Sequence, residues 1–554
     1  MDAFFALLSA INAVLLSVPV LLTLLGVGIL FTVWSGFCQY RSLTHGVRLI
    51  SGRGPHRGEG TGVLSHFQAL SAALSATVGL GNIGGVAIAV SLGGPGAVFW
   101  MWMVGLAGMA IKTAEVTLSM LYRDTTQPDH PLGGPMMVAR QGLSRLPGMA
   151  RLGAVIGALF CLPLILFGIT GGNMFQAWNV AEISRAYFGV PPWISGLVMA
   201  LLVAAVILGG IRRIGRITGT LVPVMCGLYM LAAIAVLVVE REQLPALFRL
   251  IFTAAFQPAE AAGAFLGAAT GTAFIFGMKR ALFSSEAGLG SAPIAHAAVK
   301  TREPVTEGVV AGLEPFIDTL VVCTLTALVI LVSGVWNRGA EAHWITPPQL
   351  VAQSDGRWVP DRVQLPEQQS TLKTGDPVFL VVRDQDQPRQ RLFGEVTDNG
   401  GIAWRPLTAD APQLAEPGLF ADYPAATLTA KAFDAAQPGL GRWLVVITVW
   451  LFAVSTMITW SYYSEQGLIY LAGTRAVKPF RVLWCGLIWV TCLGFIRTDV
   501  ELDTLSTIAL GFMLIINLPM MVALGPVMIR AYKDYFRRLS PDPDAGQYGS
   551  EPRR

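Results

Sequence analysis

Long apolar segments recur along this chain, and they restrict its possible folds more than any other feature. A helix needs about 20 apolar residues to cross the hydrocarbon core of a bilayer. Eleven segments come close to or meet this length: 11–36, 66–92, 95–122, 152–187, 192–210, 214–239, 261–282, 305–334, 441–471, 479–496 and 504–530. Charged residues make up only 13% of the chain, about half the share in soluble domains. We therefore predict an all-α polytopic membrane protein with about eleven transmembrane helices, and exclude a soluble enzyme or nucleic-acid-binding protein.

The loops between these segments predict the orientation in the membrane. Basic residues follow every second segment: Arg41, Arg48, Arg53 and Arg57; Arg140, Arg145 and Arg151; Arg212, Arg213 and Arg216; Lys300 and Arg302; Arg475, Lys478 and Arg481; Arg530, Lys533, Arg537 and Arg538. Loops rich in Lys and Arg stay on the cytoplasmic side. The pattern predicts a multi-pass protein of the plasma (inner) membrane, with its N-terminus outside and its C-terminus in the cytoplasm.

Residues 335–438 differ from the rest of the chain because they are polar and rich in Pro, Gln and Asp. Two alternating runs, 378–383 and 392–397, are typical of strands, and the sequence Asp398-Asn399-Gly400 indicates a turn. The orientation rule places this segment outside the cell. It predicts a small β-rich external insert; a partly disordered loop is the alternative.

The most informative apolar segment contains residues 75–85 (SATVGLGNIGG). Four glycines within residues 79–85 are poor helix formers, so we predict a break in this helix at membrane depth. Backbone freed there is tolerated only where it is buried in protein or lines a wet cavity. Freed carbonyls and the Asn82 amide suit a sodium ion, whereas freed amides suit a carboxylate. Close packing of helices through small residues is the alternative.

A second segment of this kind follows five spans later, at residues 268–277 (AATGTAFIFG). Interrupted segments at matching positions of two halves indicate a transporter built from inverted repeats. We therefore predict a five-helix inverted repeat with two broken helices. The predicted units are an extra N-terminal helix with a basic loop (1–65), a first repeat (66–240), a second repeat (241–334 and 439–538) interrupted by the insert (335–438), and a cytoplasmic tail (539–554).

Four long motifs, in this order, resemble the alanine/glycine:cation symporter family: residues 77–83 (TVGLGNI), 91–100 (SLGGPGAVFW), 283–296 (FSSEAGLGSAPIAH) and 316–324 (FIDTLVVCT). The resemblance covers the chain from about Phe67 to the last span, except for the insert. It implies a fold like that of the bacterial leucine transporter. It also implies sodium-coupled uptake of small neutral amino acids, such as alanine and glycine, with sodium as coupling ion and no other cofactor.

The resemblance also implies site residues. Thr77 and Asn82 fall at one sodium site, and Ser75 and Val78 at another, to which the neighbouring hydroxyls of Ser455 and Thr456 belong. A hydrogen bond from each hydroxyl to its own helix is the alternative for this pair. Candidate substrate-binding residues lie around the first break, with two aromatic walls: Gly79, Leu80, Gly81, Asn82, Gly84, Phe276 and Trp460. Leu80 replaces a threonine that the family usually has, and Gly84 stands where a larger residue can occur, which bears on the amino acid accepted.

Charged residues at membrane depth are candidates for function, because their burial in the membrane costs free energy. Asp318 is a candidate for the cation path, or it accepts backbone hydrogen bonds; Lys112 and Glu115, three residues apart, can neutralise each other.

Two function classes besides a sodium symporter remain: a proton-coupled amino-acid transporter, and a membrane sensor whose insert binds a ligand. An intramembrane enzyme lacks support, since no histidine pairs with a nucleophile or a second ligand within one span. The expected partners are a small neutral amino acid, sodium and lipid, with no nucleic acid; the sequence does not indicate an oligomeric state.

Overall fold

The computed structural model describes residues 2–53, 60–127, 131–145, 147–257, 271–354, 356–361, 364–365, 372–383, 389–423, 425–495 and 499–539. Within these ranges, eight helices are long and apolar enough to cross a membrane: Ala10–Ser35, Gly96–Leu121, Ala150–Phe188, Gly210–Val239, Pro304–Ser333, Gly441–Ala472, Thr474–Phe495 and Leu502–Leu539. A ninth span consists of two halves, His66–Thr77 and Gly81–Gly93, that are bent by 53°. The predicted all-α membrane fold is therefore confirmed.

The two remaining predicted spans are represented by shorter helices. Pro192–Ile207 is apolar but has only 16 residues. Thr272–Ser285 continues the segment predicted at 261–282, whose first part lies outside the described residues. Residues 272–277 of the predicted break at 268–277 are helical, so the break does not lie within them; residues 268–270 lie outside the described part, where the break stays a prediction.

Burial follows what a bilayer demands of a helix bundle. Large apolar side chains such as Ile29, Leu201 and Val482 are exposed on the outer surface, where lipid is the natural solvent. The interior is packed closely through small residues: a Cβ on Gly108 would lie 3.1 Å from the Ala287 methyl, and a Cβ on Gly28 would overlap Ala107. Such contacts allow helix backbones to approach closely without a hydrophobic driving force.

The insert contains nine short strands, β1 (Ala342–His343), β2 (Leu350–Ala352), β3 (Arg357–Pro360), β4 (Pro377–Arg383), β5 (Gln390–Val396), β6 (Ile402–Trp404), β7 (Leu407–Thr408), β8 (Gln413–Leu414) and β9 (Gly418–Ala421). They form an antiparallel sheet in the order β1-β9-β4-β5-β6, with β8 on β4, and a smaller sheet β2-β3-β7. β4 and β5 carry the two alternating runs, and their register pairs Leu380 with Leu392. The prediction of a small β-rich insert is confirmed.

The last part of the predicted insert is helical and belongs with the membrane helices. Ala425–Ala436 forms a helix that packs against the first broken helix, where the Thr429 hydroxyl donates to the carbonyl of Ile83 at 3.0 Å. Half of its residues are alanine, a strong helix former, so its own sequence carried a signal for this helix. The helix ties the insert to the region of the break.

Three loops predicted to be cytoplasmic meet at one end of the bundle. The guanidinium of Arg123 donates to four carbonyl oxygens in two of them, those of Thr61, Ala297, Val299 and Thr301. From the C-terminal helix, Arg538 pairs with Glu303 at 2.8 Å. These contacts agree with the prediction that the loops share one side of the membrane; which side that is remains a prediction.

Candidate substrate and cation site

The first broken helix begins and breaks for local reasons. A capping box starts its first half: the Ser65 hydroxyl accepts from the amide of Gln68, whose side chain accepts from the amide of Ser65. The half ends at Val78, whose ψ of 87° leaves the helical region. The amide of Gly79 then bonds to the Asn82 side chain at 3.0 Å instead of a helical carbonyl. Gly81–Gly85 continues as a wide π-helical turn.

The carbonyl of Ser75 is the centre of one cluster of oxygen atoms. It accepts from the hydroxyl of Thr456 at 3.1 Å and lies 3.5 Å from that of Ser455. The Ser75 hydroxyl donates to the carbonyl of Ser455 at 2.7 Å and accepts from Thr459 at 3.0 Å. All four side chains are buried. The structure thus brings together Ser75, Ser455 and Thr456 across two helices, as predicted; Val78 is buried one turn after Ser75.

A second polar cluster surrounds Asn82 on the other face of the break. Its side-chain amide donates to the carbonyl of Asp318 at 3.1 Å and to the Cys323 sulfur. The carboxylate of Asp318 is fully buried; one oxygen accepts from Thr319, and the other has no hydrogen-bond partner among the described residues. Thr77, by contrast, only approaches the carbonyl of Leu74 in its own helix, at 3.5 Å.

Trp460 is fixed on three sides, which suits a rigid wall. Its ring packs 4.6 Å from that of Phe167, and a Cβ on Gly172 would overlap it. Its indole N–H donates to the Glu286 carboxylate at 3.1 Å. Glu286 stands in the left-handed region with φ 51°, a conformation that costs a non-glycine residue energy. The indole orientation is therefore determined by both packing and a buried hydrogen bond.

The glycines of the break permit close approach. A Cβ on Gly79 would lie 2.7 Å from the Thr456 hydroxyl and 3.6 Å from the Gln176 amide oxygen, and one on Gly81 would lie 3.2 Å from the Phe283 ring. The amide of Leu80 makes a long 3.5 Å contact with Gln176. Gly84 is buried within the π-helical turn.

The structure does not bring Phe276 to this cluster. Its Cβ contacts Gly93 at the far end of the second half, whereas Phe283, two helical turns later, lies against Gly81 and the rings of Phe167 and Phe175. Because Thr272–Ser285 runs antiparallel to Gly81–Gly93, a shift of seven residues moves the side chain from the outer end to the break. The sequence does not indicate where this helix begins, so the prediction assigned Phe276 to the position that Phe283 occupies.

Comparison with known proteins decides the family. The model of the sodium:alanine symporter family matches residues 1–363 and 416–547. The chain belongs to this family. It is 36% identical over 482 residues to the sodium/alanine symporter AgcS of Methanococcus maripaludis, covering 86% of each chain. It is 31% identical over 533 residues to the putative sodium/proton-dependent alanine carrier YrbD of Bacillus subtilis, covering 96% of this chain and 92% of that one.

Family membership makes this protein a membrane transporter and excludes the enzyme alternative. A third relative is named for another amino acid: the probable sodium/glutamine symporter GlnT of Bacillus subtilis is 36% identical over 327 residues, 59% of this chain and 65% of that one. Residues 364–415, which carry β4, β5 and β6, fall outside the family match. The central strands of the insert are thus an addition to the common core.

Several contacts were not predicted, and some had a signal in the sequence. Thr459 follows Ser455 by four residues and so lies on the same helix face, which could have added it to the oxygen cluster. Glu286 stands in the motif of residues 283–296, but the sequence assigned it no role. The Asn173 side chain donates to the carbonyl of Trp484 on another helix at 3.0 Å. Lys112 lies 3.7 Å from Glu115, as expected, but its closer partner is Glu314 at 3.1 Å.

Proposed function

We propose that this symporter-family protein couples the uptake of a small neutral amino acid, alanine or glycine, to sodium by alternating access. The observation that carries the proposal is the Ser75 cluster. Two carbonyls and four hydroxyls converge across a helix break in a buried region without a fixed charge. Sodium is a hard cation, and oxygen dipoles can replace its hydration shell; Ser75, Val78, Ser455 and Thr456 are the proposed ligands.

The second proposed cation site is formed by Thr77 and Asn82, with Asp318 beside it. The unpartnered oxygen of Asp318 supports this assignment, because an uncompensated buried carboxylate is costly and a cation would offset that cost. Asn82 also reaches Gly79, so a cation here would lie close to the proposed position of the substrate carboxylate. Each ligand would then favour binding of the other, as symport requires.

The substrate is proposed to lie at the break between Gly79 and Gly84, with its carboxylate at the amides near Leu80 and Gly81. Trp460 forms one wall, and its fixed position limits the side chain to a small one. Phe283 replaces Phe276 as the second wall, because it contacts Gly81. Both walls are apolar, which favours neutral over charged side chains.

The test is uptake of radiolabelled alanine into proteoliposomes with the purified protein. An inward sodium gradient should drive accumulation, and replacing sodium by potassium on both sides should abolish it. A proton gradient without sodium is the matched arm. Accumulation in that arm alone would replace the proposal by the proton-coupled alternative, for which the name of the YrbD relative gives a precedent. Absence of uptake under both gradients, for alanine, glycine and glutamine, would contradict the proposed transport.

A further inference from the structure

Arg123 joins two separate segments at the end of the bundle predicted to be cytoplasmic. One terminal nitrogen of its guanidinium, Nη1, donates to the carbonyls of Ala297 and Val299 at 2.8 and 2.7 Å. The other, Nη2, donates to the carbonyls of Thr61 and Thr301 at 3.1 and 2.8 Å. We call this set of four hydrogen bonds the arginine clamp.

Each segment held by the clamp leads to the proposed substrate position through one short helix. Thr61 lies shortly before His66, where the first half of the first broken helix begins. The other three carbonyls directly follow the short helix Ala292–His296. That helix follows closely on Glu286, which bonds to the indole of Trp460. The clamp therefore ties together the outer ends of two short helices that flank the site.

The two segments also bond to each other. The amide of Leu64 donates to the carbonyl of Ala298 at 3.0 Å, and the amide of Lys300 donates to the carbonyl of Leu64 at 2.9 Å. Gly62 has a φ of 143°, and a Cβ there would lie 2.3 Å from the carbonyl oxygen of Val299, so this close approach needs glycine. These contacts, like those to Arg123, use backbone groups of the two segments.

The chemistry of the clamp requires an arginine. A guanidinium has five N–H donors in a rigid planar fork, whereas the ammonium of lysine has three and is a point charge. Lysine could therefore satisfy at most three of the four carbonyls.

The surroundings of Arg123 also allow the clamp to open. The guanidinium borders a cavity of about 550 Å³, lined further by Gly60, Thr61, Met120, Thr125, Thr301 and Arg302. Three hydroxyls and a second cation make this a place that favours water. Water can replace the carbonyls as partners of Arg123, so opening does not leave a buried charge unpaired.

We propose that the arginine clamp keeps the cytoplasmic ends of the two short helices together and must open before the amino acid and sodium leave, which makes Arg123 a positioning residue for transport. The proposal rests on the proposed function. Sodium at the Ser75 cluster would join the same half of the first broken helix to the helix Gly441–Ala472. Sodium and the clamp then favour the same closed arrangement, and loss of the clamp favours the open one.

The substitution Ala298→Cys provides a reporter of opening. Ala298 is fully buried, and its carbonyl accepts from Leu64 across the two segments. A thiol here should react with a maleimide only when the segments separate. The reaction rate is measured on purified protein in sodium and in potassium, with Cys485 replaced by Ala.

Adding Arg123→Lys or Arg123→Gln should raise this rate about tenfold or more, because hydrogen bonds to a charged group are lost. Sodium should still lower the rate, and the buried native Cys161 should stay unlabelled; misfolding would remove both properties. Arg537→Lys is the matched control, since the Arg537 side chain is 82% exposed and pairs with Asp534 of its own helix. A rate that stays at the level of Ala298→Cys alone in both Arg123 variants would overturn the clamp.

Uptake into proteoliposomes separates this proposal from the proposed function. Arg123→Lys should raise the sodium concentration for half-maximal uptake severalfold, because the open form is favoured before sodium binds. Absence of transport by the wild-type protein, with labelling that still responds to Arg123, would contradict the proposed function and leave the clamp intact. Normal wild-type uptake, with labelling unaffected by Arg123, would overturn the clamp alone.

A reversible lock tests whether opening is required. Thr61 and Thr301 face each other in an antiparallel bridge, a spacing that a disulfide can join. Their carbonyls accept from Arg123, so the double variant Thr61→Cys and Thr301→Cys keeps the clamp. Oxidation should abolish sodium-driven alanine uptake, dithiothreitol should restore it, and each single variant should be unaffected. Uptake by the cross-linked protein at the rate of its reduced form would overturn the requirement for opening.

Discussion

The carbonyl oxygen of Ser75 accepts from the hydroxyl of Thr456 at 3.1 Å and lies 3.5 Å from the hydroxyl of Ser455, both on another helix. A hydroxyl oxygen keeps its lone pairs when it donates, so rotation of its O–H is enough to turn a donor into a cation ligand. Ser455 also bonds to the carbonyl of Phe452 in its own helix at 2.8 Å. Thr456 is therefore the hydroxyl more fully committed to the proposed cation.

Replacement Thr456→Val keeps the shape of this side chain but removes its oxygen. Loss of one ligand should raise the sodium concentration for half-maximal uptake about tenfold, equivalent to about 1.4 kcal/mol. Alanine affinity at saturating sodium should change less, because the carboxylate is proposed to bind at the other cluster. Sodium titrations of alanine uptake measure both quantities.

Trp460→Ala is the contrasting change at the same scale. It should widen the range of amino acids accepted while leaving the sodium dependence nearly intact, since Trp460 bonds to Glu286 and not to the Ser75 cluster.

An unchanged sodium curve for a normally expressed Thr456→Val protein would remove Thr456 from the site.

At the scale of elements, the break in the first broken helix exposes backbone groups and also lets a second helix approach closely. Gly79 follows the first half and faces the helix Gly441–Ala472 at Thr456. The contact that a Cβ would make there is shorter than ordinary van der Waals distance, and the neighbouring backbone is buried on both helices. Any side chain at position 79 must therefore displace the Thr456 hydroxyl or move the two helices apart.

Gly79→Ala should reduce sodium-driven uptake about tenfold or more, in line with the 1–3 kcal/mol that overpacking typically costs. The added methyl would lie 2.7 Å from the Thr456 hydroxyl and displace it from the Ser75 carbonyl. Gly227→Ala is the control, because a Cβ on this helical glycine meets nothing within 4 Å. Equal uptake by both variants, measured with equal amounts in the membrane, would show that the close approach has no role.

The elements also show what the sequence could and could not predict. Glycine content predicted the break near Gly79, and apolar length predicted the spans, because both are local properties. The partner of each side chain is not local: the position of Phe283 rather than Phe276 at Gly81 depends on how two antiparallel helices align. The contact between His66 and Glu307 escaped prediction for the same reason, since these residues are 241 positions apart.

At the scale of the whole molecule, the predicted alternation of basic loops can be tested directly. We expect Cys at position 399 to react with an impermeant thiol reagent from outside intact cells, and Cys at 213 and 302 to react only after permeabilisation. All three native side chains are exposed. Five of the six native cysteines are buried, so replacing Cys485 by Ala gives a low background. Labelling at 213 from outside would reverse the orientation.

The insert offers a test of which parts of the molecule transport requires. β1 and β9 are antiparallel neighbours, and His343 lies directly opposite Gly418. An Asn-Gly turn in place of residues 344–417 should therefore close them as a hairpin, with Leu419 and Phe420 changed to Thr because they lose their cover. We expect sodium-driven uptake within about threefold of wild type, since the family match already omits residues 364–415 and long surface insertions contribute little closure entropy.

The matched variant also removes the helix Ala425–Ala436. This longer deletion, of residues 340–435, takes away the Thr429 hydrogen bond to Ile83 and uncovers the first broken helix beside its break. Because freed backbone at membrane depth must stay covered by protein or line a controlled cavity, uptake should fall to background. Membrane insertion is checked by the labelling of Cys at positions 213 and 302, because both deletions remove position 399. If the short deletion is inserted but inactive, the strands take part in the transport cycle; if the long deletion still transports, the helix does not cover a functional break.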